Sequence, residues 1–194
     1  MEGKTKCPSG IGGLDLTLDG GFPVGSVIVV SGSPLTGIDR MARQFWEATE
    51  DRGTYLMIDG ELEPGMIGMN GAAPETQISG IEGARVVIDS LSSIILSNGI
   101  DCALRCLAAA RQVVYAKQTN VLFTLYSDLH APIEEIRVMR AADVFIELKE
   151  AIFMNEIERQ LAVHKIKDMA VPRRLVPYLI TEKGIELSTT SRVV

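Results

Sequence analysis

"GSPLTGID", residues 32–39, follows the β-branched run "SVIVVSG" (Ser26–Gly32) and precedes the helix-patterned stretch "IDRMARQFWEATED". Strand, glycine-framed loop and helix, in that order, are the setting of a phosphate-binding P-loop. Such a loop works because backbone N–H groups and a helix N-terminus surround the phosphates. Gly32 and Gly37 have its spacing, with Ser33, Pro34, Leu35 and Thr36 between them. Ile38 and Asp39 stand where the loop has a lysine for charge and a Ser or Thr for magnesium. Ile38 has no charge to offer a phosphate. Asp39 adds a negative charge beside it, and a unit-charge pair at about 4 Å is worth on the order of 4 kcal/mol at an effective dielectric of 20. ATP and magnesium are therefore expected to bind weakly, although Asp39 keeps the capacity to ligand a cation. A structural reading of the same residues runs beside this one. Thr36 and Asp39 are three apart, as in a capping box with aspartate replacing the usual Glu or Gln, so the helix would be capped by its own side chains.

Outward from the loop, strands and helices alternate. Strands are expected at Thr54–Asp59, Ala84–Leu91, Asn120–Tyr126 and Asp143–Glu150, and helices at 101–118 and Pro132–Ala142. "RQLAVHKIK" and "VPYLITEKGIEL" then read as strands with no helix between them, and Glu182–Gly184 makes a tight turn. This pattern predicts an α/β sandwich with a mostly parallel central sheet and antiparallel C-terminal hairpin strands. Gly65–Gly83 is glycine-rich with little periodicity and reads as a loop carrying at most a short helix. One domain is expected over 1–194, with 1–8 and 188–194 frayed.

Composition narrows the function. A net charge of −6 gives no broad attraction for nucleic acid. No apolar run reaches membrane length, and "MEGKTKCPSG" has no apolar export segment, so the cytoplasm is the expected location. Cys7, Cys102 and Cys106 do not read as a disulfide framework. Cys102 and Cys106 share a helix face, but metal binding would need two further ligands and none is nearby in the sequence, so buried reduced thiols are expected. His130 and His164 show no triad pattern and read as surface or packed residues, with His164 beside a Lys-x-Lys pair as a possible ligand sensor.

The order of several motifs resembles the KaiC-like members of the RecA superfamily. "SGIGGLDLTLDGGFPVGSVIVVSGSPLTG" (Ser9–Gly37) is similar to their opening and Walker A loop. "RVVIDSLS" (Arg85–Ser92) is similar to their Walker B strand, and "VHKIKD" followed by "YLITEKGIEL" to their K-x-R motif and closing hairpin. The likeness runs with gaps from Ser9 to Leu187. It implies a RecA-like P-loop NTPase sandwich, ATP at subunit interfaces and ring assembly. It implies that Asp89 holds the magnesium shell through water, if nucleotide binds. It also implies that Lys165 and Lys167 reach a neighbour's γ-phosphate. Without the resemblance, Asp89 reads as a strand-end cap and the two lysines as a solvated strand face. Asp59 and Gly60 fall where the family has paired glutamates, one of which activates water. Gly60 supplies no such group, Asp59 is shorter, and Glu61 substitutes only if the strand end shifts. The Gly65–Gly83 stretch is shorter than in relatives, which places adenine contacts and the usual subunit contacts in question.

Three functions follow as expectations. The first is a non-hydrolysing regulatory or assembly protein, self-associating as a dimer or hexamer or joining an active paralogue. The second is an atypical ATPase in which Arg40 or a neighbour's Lys165 supplies the missing charge. The third is a DNA recombination accessory protein, which the acidic balance disfavours.

Overall fold

The computed structural model describes residues 5–49 and 53–187; the expected frayed tail at 188–194 and residues 1–4 lie outside them. In chain order the elements are β1 (Lys6–Cys7), α1 (Gly12–Thr17), β2 (Phe22–Pro23), β3 (Val27–Gly32), α2 (Ile38–Trp46), β4 (Thr54–Met57), β5 (Met66–Gly68) and α3 (Pro74–Ser79). They continue with β6 (Arg85–Asp89), α4 (Leu91–Asn98), α5 (Ile100–Lys117), β7 (Asn120–Tyr126), α6 (Pro132–Ala141), β8 (Val144–Phe153), β9 (Glu156–Ile166), β10 (Val176–Thr181) and β11 (Gly184–Leu187).

Nine strands form one sheet in the order β11-β10-β9-β8-β3-β7-β6-β4-β5. From β8 to β5 every pairing is parallel; β9, β10 and β11 join antiparallel. The expected mostly parallel sheet with antiparallel C-terminal strands is the observed one. Strand β3 explains the layering. Its first four residues, Val27–Val30, are fully buried. Because side chains alternate, Ile28 and Val30 enter the core beneath α1 and α2, whereas Val27 and Val29 enter the core beneath α3 to α6. Both faces are covered, which is why the central strands read as continuous apolar runs. Each such fully buried side chain contributes about 1.5–3 kcal/mol.

Several local expectations change. The helix predicted over 38–51 stops at Trp46, whose indole N–H turns back to donate to Gly53 O at 2.6 Å. Helix α4 was not legible as a helix. "LSSIILSN" packs Leu91, Ile94 and Ile95 inward, is capped by Ser90 (Ser93 N to Ser90 Oγ, 3.1 Å), and ends at Gly99 with φ 78°. The Gly65–Gly83 stretch carries the short helix α3 and also β5, which extends the sheet beside β4. Three residues are too few for alternation to register. Lys6 and Cys7, expected in a frayed terminus, pair with Pro23 and Phe22, and Lys6 Nζ donates to Leu18 O at 3.0 Å. No described helix is long and apolar enough to cross a membrane.

Candidate functional site

The glycine-framed loop leaves the C-terminal end of β3 as a single turn of 3-10 helix over Pro34–Thr36. Ser33 organises it. Leu35 N donates to Ser33 Oγ at 3.2 Å, Thr36 N donates to Ser33 O at 3.0 Å, and the Thr36 hydroxyl donates to the same carbonyl at 2.6 Å. That last bond corrects the capping-box reading: Thr36 turns back into the loop. Gly37 is the N-cap of α2 instead, and no side chain caps the helix. Gly37 has φ 78°, a left-handed conformation that glycine adopts without strain.

The two replaced positions diverge in space. Ile38 is fully buried and packs with Met41, Ala42 and Phe45 in the core under α2. Asp39 is exposed in the first turn of α2, and its carboxylate has no hydrogen bond or ion pair to another described residue. The helix start thus presents a free carboxylate where a P-loop presents lysine and hydroxyl.

The C-terminal hairpin is seated on this loop. Tyr178 on β10 donates its hydroxyl to Thr36 O at 2.8 Å. A Cβ at Gly37 would lie 2.9 Å from Ile180 Cδ1. Arg40 donates to Thr181 O at 3.1 Å, and the Gln44 amide brackets Ile185 through both its backbone groups, at 2.7 and 3.1 Å. Burial and the hydrogen bond to Thr36 form a fixed contact, and burial first pushes the Tyr178 phenol up to about 12.

Asp89 ends β6, two strands from β3, and is buried. Tyr55 donates to its Oδ2 at 2.6 Å, and Thr124, on the intervening β7, donates to its Oδ1. Burial raises the Asp89 pKa above the usual carboxylate range; the two hydroxyls oppose that shift, and the charges of Asp39 and Asp59 add to it. Asp39, Asp59 and Asp89 therefore act on one region of negative potential. Asp59 accepts from the Ser93 hydroxyl, whose own neighbour is Ser90 Oγ. Gly60 and Glu61 are exposed beyond it.

Lys165 and Lys167 lie at the other end of the sheet. Phe145 pairs with Lys165 and with Val29, whereas Gly32 pairs with Leu148. Lys165 Nζ donates to the carbonyls of Met139, Arg140 and Ala142, and so caps the C-terminal end of α6. Burial lowers its pKa, against the pull of Asp143. It is neither a solvated strand-face residue nor a free cation. Lys167 lies 3.8 Å from Asp143 Oδ1 and 5.7 Å from the centre of the Tyr115 ring; Asp143 also takes Arg111 at 2.9 Å.

His164 bonds Glu147 at 2.7 Å. His130 bonds the buried Ser92 hydroxyl at 2.8 Å, and Ser92 in turn accepts from Tyr126 N. The partners of Asp89 were missed in the sequence. Thr124 was the available signal: it is a small hydroxyl residue set between Phe123 and Leu125 in the apolar strand "NVLFTLY".

A family model described as "ATPase: KaiC" matches residues 74–192, a span that holds Asp89, Lys165 and Lys167 and begins after the loop. In structure the chain is similar to a KaiC-like protein from the hyperthermophilic archaeon Pyrococcus horikoshii OT3. The TM-score is 0.79 and the identity 20%, over 96% of this chain and 100% of that one. No curated protein matches in sequence.

Proposed function

Because the chain belongs to the KaiC ATPase family, we propose that it keeps the frame of that ATPase without the chemistry and acts as a non-hydrolysing regulatory or assembly protein, as a single domain over 1–194. The observation that carries this reading is the divergence at the head of α2: Ile38 is buried in the core and Asp39 holds an unpaired carboxylate beside the phosphate position. The residues that would compensate are engaged elsewhere. Arg40 is drawn to Thr181 O on the hairpin, and Lys165 is spent on three carbonyls of its own chain. Asp59 is tied to Ser93, and Gly60 has no side chain to activate water. Asp89, with a raised pKa and two hydroxyl donors, is a poorer holder of a magnesium shell than a free carboxylate.

An assembly role is supported by the surface. Ile152, Phe153, Met154 and Ile157, at the tip of the β8–β9 hairpin, are 58–84% exposed. Clustered exposed apolar side chains of this kind mark contact sites. The expected assembly is a dimer or hexamer, or a complex with an active paralogue. The test is phosphate release from Mg·ATP measured beside an active KaiC-family ATPase. The account expects turnover at background; turnover comparable to the active enzyme would refute it.

A further inference from the structure

Glu75 on α3 meets Cys102 and Cys106 on α5 away from the loop, and their ligand atoms all lie within 4.8 Å of one another. The sequence showed the thiol pair and no partner; the packing of α3 on α5 supplies one. Cys102 and Cys106 are one helical turn apart, so both sulfurs leave the same face. Cys102 Sγ lies 3.5 Å from Glu75 Oε2. In a tetrahedral zinc site, with Zn–S of about 2.3 Å and Zn–O of about 2.0–2.2 Å, a sulfur and an oxygen ligand are separated by about 3.5 Å. The other carboxylate oxygen, Oε1, accepts from Arg105 Nε at 3.0 Å. That bond fixes the orientation of the carboxylate and leaves Oε2 toward the sulfurs, the role an outer-shell partner has in metal sites. Both cysteines are free and buried, and Glu75 is partly exposed, so the cluster has a protected interior and an open edge.

We infer that Glu75, Cys102 and Cys106 form a site for a thiophilic divalent cation of the zinc type, with a fourth position open to water on the Glu75 side. Two thiolates and one carboxylate are a soft, anionic donor set that suits such an ion better than magnesium. Binding forms two metal–sulfur bonds and one metal–oxygen bond and releases two thiol protons to solvent. Because both thiols give up their protons on binding, occupancy rises with pH. The bound ion would pin α3, and with it the Gly65–Gly83 segment, to α5.

The test titrates cadmium into the reduced full-length protein and follows the ultraviolet thiolate-to-cadmium charge-transfer band. One equivalent is expected to saturate it. Cys102→Ser should weaken binding by at least about a hundredfold, and Glu75→Gln by about tenfold, while Cys7→Ser leaves it unchanged. Circular dichroism checks each fold. Should Cys102→Ser fail to fold, Glu75→Gln at the open edge decides. The proposal is overturned if the wild-type shows no band at one equivalent, if folded Cys102→Ser or Glu75→Gln binds as the wild-type does, or if Cys7→Ser abolishes the band.

Discussion

Replacing Ile38→Lys and Asp39→Thr together restores the charge and the magnesium hydroxyl to a loop whose glycine frame is intact. The structure sets two opposing magnitudes. Ile38 is fully buried, and truncating such a side chain costs about 2–5 kcal/mol. The methylene stem of lysine refills part of that space while its ammonium turns out toward the loop. Removing Asp39 from the first turn of α2 forfeits roughly 0.3–1 kcal/mol of favourable interaction with the helix N-terminus. A net loss near 2 kcal/mol lowers the melting temperature by roughly 4–8 °C in a domain of this size. Against it stands nucleotide affinity. The unpaired Asp39 carboxylate is removed and a cation is added, each interacting with phosphate on a scale of about 4 kcal/mol at 4 Å and an effective dielectric of 20. Even after heavy compensation, more than about 1.4 kcal/mol remains, a tenfold gain in Mg·ATP affinity. Calorimetry measures the gain, and thermal melts with and without nucleotide measure the cost. Hydrolysis should stay near background, because nothing has been done to Asp59 and Gly60. A folded double variant that binds no better than wild-type refutes the electrostatic argument. One that hydrolyses ATP like an active relative refutes the assignment of the missing base, and makes Glu61 or another carboxylate competent.

Adding Asp59→Glu and Gly60→Glu to that variant should raise phosphate release further, within the ~10²–10⁴ that general-base help supplies, if the protein assembles; the atom nearest a new Cβ at position 60 is Met57 Sδ at 2.7 Å, in a flexible side chain that must shift to admit it. Tyr178→Phe removes the buried hydroxyl that Thr36 O accepts and should cost about 1–3 kcal/mol in denaturant unfolding, with the hairpin loosened from the loop. Asp89→Asn tests the buried carboxyl. Its native pKa is raised, so its protonated form favours folding below the unfolded pKa, and that contribution is lost as pH rises through the native pKa. The always-neutral variant should therefore melt above wild-type at neutral pH, with the gap closing on acidification; a gap that widens in acid contradicts the sign.

The sheet was legible because its strands announce themselves: Val27–Val30 form an unbroken apolar run, and Asn120–Tyr126 begins and ends where the composition changes. The antiparallel edge followed from two strand patterns joined at Glu182–Gly184. What sequence could not supply was juxtaposition. Thr36 was assigned to the helix because spacing matched a cap, yet the carbonyl of Ser33 is the nearer acceptor once the chain turns as a 3-10 helix. Lys165 looked free because alternation along β9 says nothing about the C-terminal end of α6 packed beside it. Helix α4 was hidden although Leu91, Ile94 and Ile95 have helical spacing, because its eight residues follow β6 after Ser90 alone and Leu91 was read as the end of that strand. The ligand-like cluster of Glu75 with two cysteines joins residues 27 and 31 apart, and only the packing of α3 on α5 brings it about.

The central claim is that the loop no longer holds nucleotide tightly. Calorimetric titration of Mg·ATP into the wild-type protein at neutral pH tests it most directly. The account predicts no binding in the micromolar range, because the first turn of α2 presents the Asp39 carboxylate and its cation, Arg40, donates to Thr181 O on the hairpin. A dissociation constant in the low micromolar range, about −8 kcal/mol, would contradict it.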